Sequence, residues 1–74
     1  MSRPVKRSFS INGHQTSISL ETAFWAAFKE AAAEDGVPLA NLVAAIDKER
    51  GNSGLSSAVR VWLLARFKAK AAKA

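Results

Sequence analysis

The dipeptide Asn12-Gly13 limits what this chain can fold into more than any other pair of residues. It sits in RSFSINGHQTSISL, residues 7–20, between two runs in which apolar and polar residues alternate. Both central residues of a type I′ turn need positive φ, and Asn-Gly meets that need at low cost, so the stretch predicts two strands joined by a two-residue turn. Side chains along a strand point to alternate faces. Phe9 and Ile11 therefore share one face of the first strand, and Ser8 and Ser10 take the other. On the second strand Thr16, Ile18 and Leu20 point inward, which leaves Gln15, Ser17 and Ser19 as a row of small polar groups facing out. That outward row is the candidate functional surface.

Three helices are expected after the hairpin. Residues 21–35 carry Phe24, Phe28 and Ala31 at helical spacing, with Trp25 and Ala32 on the adjoining stripe, and alanines supply high propensity between them. Glu21 stands at the start, where a negative charge favours the helix dipole, and Gly36 stops the helix at C′. A second helix runs from about Pro38 to Arg50, with Leu39, Leu42, Val43 and Ile46 as its apolar stripe and Asp47 to Arg50 as its wet end. GNSG, residues 51–54, breaks the chain again. The third helix starts near Ser56 or Ser57 as a cap. Val59, Trp62, Leu63 and Phe67 form one face, which Val61 and Leu64 widen. A helix apolar over so much of its circumference is expected to be buried on more than one side, for instance between its own subunit and a partner. The tail KAKAAKA has no apolar anchor larger than alanine and is expected to fray. The chain thus divides into a basic flexible arm (1–6), one domain (7–68) and a fraying basic tail (69–74).

Size turns the apolar content into an argument for association. The chain has 74 residues and 49% of them are hydrophobic. Chains this short rarely gain more than about 3–5 kcal/mol from a single core, and with no cysteine no disulfide makes up the deficit. Obligate association, most simply a symmetric dimer, is the economical expectation. Eleven Lys and Arg face six Asp and Glu, for a net charge of +5, which suits a polyanionic partner such as nucleic acid; ordinary solubility charge is the plain alternative. Arg3, Lys6 and Arg7 cluster around Pro4, placed to reach a phosphate backbone. No run of apolar residues approaches a membrane span and no signal-peptide pattern occurs, so a cytoplasmic protein without membrane contact is expected.

No catalytic set assembles from this sequence. His14 is the lone histidine and falls just past a turn, where a solvated role is commoner than general-base work. No serine has a base at a defined spacing to activate it. Glu21, Glu30, Glu34, Asp35, Asp47 and Glu49 fall on helix surfaces or ends as solvated charge. NSG lacks the lysine and preceding strand of a phosphate-binding loop. Neither an enzyme, nor a metal site, nor a cofactor is expected.

The order of RSFSINGHQTSISLE, FWAAFKEAAAEDG, PLANLVAAIDKER and LSSAVRVWLLARF resembles the short bacterial proteins of the ribbon-helix-helix family that carry a leading hairpin and an added third helix. The resemblance implies a mainly α fold with a short N-terminal β-hairpin or ribbon, assembled as an intertwined homodimer in which a strand from each subunit pairs with its mate. It further implies that this ribbon enters the DNA major groove, which is about 12 Å wide and admits a two-stranded ribbon. By the same likeness base readout falls to Gln15, Ser17 and Ser19, and phosphate contacts fall to Arg3, Lys6, Arg7, His14 and the amides of Leu39 and Ala40. The shared dimer core would comprise Ile18, Leu20, Phe24, Phe28, Leu42, Val43, Ile46, Trp62 and Phe67.

Two positions depart from the family pattern. The outward strand face carries no charge where relatives often place Arg or Lys, and Pro38, with no N–H, stands where they often place a capping Ser or Thr. GLSSAVRVWLLARF, 54–67, also resembles the family's second helix, which would make 37–53 an insertion; the tight spacing of strand, helix and Pro38 helix favours the first alignment. The expected function is a DNA-binding transcriptional regulator acting on double-stranded DNA as a homodimer, with higher assembly open. The alternative is a protein-interaction module of the same fold, an antitoxin or adaptor, that holds a protein partner.

Overall fold

Asn12 and Gly13 both adopt positive φ, +50° and +80°, in the computed structural model of the chain, which describes residues 3–73. These are the dihedrals of the type I′ turn, whose twist matches that of the strands it joins. It connects β1 (Val5–Ile11) to β2 (His14–Leu20) in an antiparallel pair. A two-residue turn leaves no slack in register, and the pairs run Ile11↔His14, Phe9↔Thr16, Arg7↔Ile18 and Val5↔Leu20, with Ser10↔Gln15, Ser8↔Ser17 and Lys6↔Ser19 between them.

The expected arm is shorter than residues 1–6. Val5 and Lys6 are already strand, because Val5 pairs with Leu20 and its carbonyl accepts a 2.9 Å hydrogen bond from the Trp25 indole Nε1. Met1 and Ser2 lie outside the described residues, as does Ala74.

Three helices follow: α1 (Thr22–Asp35), α2 (Leu39–Glu49) and α3 (Leu55–Lys73). Gly36, at φ +67°, ends α1 in a left-handed conformation. Its N–H bonds the Ala33 carbonyl and that of Val37 bonds Ala32, the two crossed bonds of a Schellman cap. Pro38 is the N-cap of α2, not its first residue, and its carbonyl accepts from the Asn41 N–H. α3 departs from expectation at both ends. It begins at Leu55, with Gly54 accepting the first backbone bond from Ala58, so neither Ser56 nor Ser57 is its cap. It also continues to Lys73 where fraying was expected, because Lys70 Nζ sits 2.6 Å from the Glu34 carboxylate and ties the added turn to α1.

One core lies between the inner face of the hairpin and the three helices. Ile18, Leu20, Phe28 and Val43 are wholly inaccessible, Trp25, Ala31 and Ile46 are nearly so, and α3 contributes Leu55, Val59 and Leu63. The rings chain together: Phe9 stacks on Trp25 at 6.1 Å, Trp25 meets Phe28 at 6.3 Å, and Phe28 meets Trp62 edge-on at 5.9 Å. The α1 stripe is rotated slightly from the expected one, for Trp25 is buried and Phe24 only half so. Among the described residues no buried polar side chain is present, so the core is purely apolar and specifies shape by packing alone.

Candidate nucleic-acid interface

Residues directly opposite each other in an antiparallel pair share a face. The register therefore puts Lys6, Ser8, Ser10, Gln15, Ser17 and Ser19 on the outer face of the hairpin, with no apolar side chain among them. All are exposed except Ser19, which is half-buried. The expected readout row, Gln15, Ser17 and Ser19, thus forms one side of a six-residue polar patch, and β1 supplies the other side. Ser8 and Ser10 join the expected row on this face, although the sequence reading places only Gln15, Ser17 and Ser19 in the site. The signal was available, since a two-residue turn after Ile11 fixes every cross-strand partner from Ile11↔His14 outward.

Ser19 differs from its neighbours in backbone chemistry. Its N–H donates to Ser56 Oγ at 3.0 Å and its carbonyl accepts from Arg60 Nη2 at 3.1 Å. Arg60 also grips Glu21 Oε1, from Nη2 at 3.0 Å and from Nε at 3.2 Å. The Glu21 carboxyl is held below the usual carboxylate range by its own backbone N–H and by this guanidinium. The outer edge of β2 is consequently closed at Ser19 by its own α3. Alternation of the ladder leaves only the Gln15 and Ser17 backbone groups open along that edge. The ribbon seen here is intramolecular, β1 against β2.

The remaining expected contacts fall in several places. Arg7 pairs with Ile18 and so stands on the opposite face from the serines, its guanidinium 5.3 Å from the centre of the Trp25 ring. His14 is exposed at the turn, opposite Ile11. Leu39 and Ala40 are half-buried in the first turn of α2, and no side chain caps that end. Of the nine residues expected in a shared dimer core, Ile18, Leu20, Phe28, Leu42, Val43 and Ile46 are buried within the single chain. Phe24 and Trp62 are half-buried, and Phe67 is largely exposed.

Ion pairing sorts the positive charge. Arg66 forks onto Asp35, Nη2 to Oδ1 at 2.9 Å and Nη1 to Oδ2 at 3.1 Å, and reaches Glu34 at 3.0 Å. Lys70 holds the other side of Glu34, and Arg50 pairs with Asp47 at 2.6 Å. Lys70 first and Arg66 second keep the Glu34 carboxyl below its ordinary range, and Arg66 does the same for Asp35. Four of the six carboxylates are thus engaged rather than freely solvated. Arg50, Arg60, Arg66 and Lys70 are neutralised in place, while Arg3, Lys6 and Arg7 form no ion pair among the described residues. Lys29, Lys48 and Lys68 on the helices are likewise unpaired among the described residues, so Arg3, Lys6 and Arg7 are one part of the unspent charge, the part that lies on or next to β1 and the polar patch. Among the described residues no three metal-ligating side chains cluster, and no helix is long and apolar enough to cross a membrane.

A two-stranded antiparallel ribbon leading straight into paired amphipathic helices defines the class of fold, and comparison with known families agrees with it. The family model described as the ribbon-helix-helix domain matches residues 4–67. The chain belongs to the ribbon-helix-helix family. Its members are commonly DNA-binding regulators or antitoxins, typically non-enzymatic and typically dimeric. The match runs through both α2 and α3, so neither helix is foreign to the family. No curated protein and no solved structure matches the chain.

Proposed function

We propose that this protein binds duplex DNA as a homodimer and regulates transcription, presenting the outer face of its hairpin to the major groove. Family membership supports the class of activity. The observation that carries the reading is the register, which gathers six polar side chains on one ribbon face, Lys6 among them, with Arg3 and Arg7 close by in the chain and none of these three cations neutralised by a carboxylate. Gln15 is the principal reader, since an amide bonds bidentately to adenine, and Ser17 is a permissive contact. Ser19 can offer its hydroxyl, but its backbone is already bound to Ser56 and Arg60. Lys6 and Arg3 supply phosphate contacts, with Arg7 reaching round the edge of the ribbon and His14 and the Leu39 and Ala40 amides as lesser contributors. An intersubunit strand pair, as the family likeness implies, has the outer edge of β1 open to it and the Gln15–Ser17 part of β2.

A gel shift with random duplex at low and moderate salt tests this reading. Retardation that weakens steeply with salt is expected. Absence of any shift at low salt favours the second reading, an antitoxin- or adaptor-like module. The uncharged, serine-rich row of β2 is the observation on its side.

A further inference from the structure

Two open clefts lie beside α3. The larger, of about 470 Å³, faces α1 between Phe24, Ala27, Leu64 and Phe67, and its one polar lining side chain, Arg60, is already committed to Glu21 and to the Ser19 carbonyl. It has nothing spare to orient a ligand. The smaller, of about 290 Å³, faces α2 and the loop after it, and its walls differ in kind.

The floor of this second cleft is apolar, with Ile46 buried and Ala58 and Trp62 half-buried. The Trp62 ring is pinned, for Phe28 meets it edge-on at 5.9 Å and the Arg66 guanidinium lies 5.4 Å from its centre. The rim is polar and exposed, made of Glu49, Arg50, Ser53 and Ser57. Small-molecule sites combine an apolar wall with a few convergent polar groups in this way, and the volume falls at the small end of their range of roughly 300–1,000 Å³.

We infer that the α2–α3 cleft binds a small free amino acid with an apolar side chain, its carboxylate on Arg50, its ammonium on Glu49 and its side chain on Trp62 and Ile46. Arg50 is held from two sides, Nε 2.6 Å from Asp47 Oδ1 and Nη1 2.6 Å from the Ser53 carbonyl. Its Nη2 is left as a donor on an already immobilised group, which a ligand engages at little further cost in entropy. Glu49, the residue before it, forms no ion pair among the described residues. Its carboxylate is therefore open to a cation. Ser53 and Ser57 add hydroxyls that donate or accept.

This pairing narrows the ligand. A simple anion would face the Glu49 carboxylate, and a simple amine would leave the Arg50 donor unmet. A nucleotide brings more negative charge than the rim has donors and more bulk than the cleft admits. An α-amino acid carries both charges a few bonds apart, as neighbouring residues 49 and 50 require. The inference goes beyond the proposed function and does not rest on it, since no cleft residue lies on the polar face of the hairpin and binding is read without DNA.

L-leucine and L-phenylalanine are the probes, each titrated into the isotope-labelled chain and followed by amide and indole N–H chemical shifts. Saturable shifts at millimolar amino acid are expected with at least one of them, at Ser57, Ala58 and the Trp62 indole, while Phe24 and Leu64 of the other cleft stay still. The N-acetyl form, which lacks the ammonium, and the amide, which lacks the carboxylate, should each bind about tenfold more weakly. Glu49→Gln, at an exposed position, should weaken the free amino acid by a similar factor and leave the N-acetyl form unchanged. The blocked forms make the same test without any substitution. Absence of saturable shifts with both amino acids, shifts centred on the α1–α3 cleft, or equal affinity for free and blocked forms overturns the inference. A Glu49→Gln chain that still prefers the free form overturns it as well.

Discussion

At the scale of single residues, the hairpin separates a polar outer face, where the proposed DNA contact falls, from an inner face that holds the fold. Gln15 projects from the outer face with no packing role, so Gln15→Ala should leave stability unchanged and relax base preference at one position by about 1–3 kcal/mol, measured on a panel of single-base site variants. Lys6 shares that face but offers only charge. Lys6→Ala should weaken all sequences alike and lower the slope of log affinity against log salt by about one. Trp25 acts on stability instead. Its indole N–H holds the Val5 carbonyl and its ring lies between Phe9 and Phe28, under the Arg7 guanidinium. Trp25→Phe keeps most of the packing and removes the donor, so urea unfolding should show a loss of about 0.5–1.5 kcal/mol. Which residues alternate in and out was readable from the sequence, because the strand period is two and the turn admits one register. The burial of Trp25 in preference to Phe24 was not, since a stripe of neighbouring aromatics leaves the helix free to rotate until the core it meets selects a face.

At the scale of elements, turns and caps decide where helices stop, and the fold then decides where they attach. Gly36 is the point at which α1 gives way to α2, in a left-handed conformation that costs a residue with a Cβ about 1–2 kcal/mol. Nothing lies near the position a Cβ would take, so Gly36→Ala should lose that amount through backbone strain without a clash, as read by thermal or urea unfolding. The attachment of α3 had no comparable signal. Ser56 looked like a cap because serine before an apolar run commonly is one. It is used instead to hold the Ser19 N–H, and Arg60 holds the carbonyl of the same residue. These are contacts between positions about forty apart in the chain, and no local pattern encodes them. The tail beyond Phe67 looked free for the same reason, and is fixed by Lys70 to a carboxylate on α1.

At the scale of the whole molecule, α3 is seated in the core by Leu55, Val59 and Leu63 and tied at its rim to α1 and to the end of β2 by ion pairs, and these give stability a pH dependence of known sign. Glu21, Glu34 and Asp35 all titrate below their ordinary range in the folded chain. Their contribution is fully present above the usual carboxylate pKa of about 4 and is lost as pH falls through the lowered folded values. The unfolding midpoint should therefore drop on acidification below about pH 4, and the acid limb should shrink in Arg66→Gln, which removes the partner of Asp35 and one of the two partners of Glu34.

The sequence by itself determined the hairpin, its register, the polar character of its outer face and the three amphipathic helices. Each of these follows from turn chemistry or from periodicity within a few residues. Only the tertiary structure decided that α3 closes the edge of β2, that ion pairs neutralise Arg60, Arg66 and Lys70 while Lys6 and Arg7 of β1 stay unpaired, and that an apolar cleft stays open between α1 and α3. Those outcomes depend on which faces remain after the core has filled, a quantity set by the packing of the whole chain and by no segment of it.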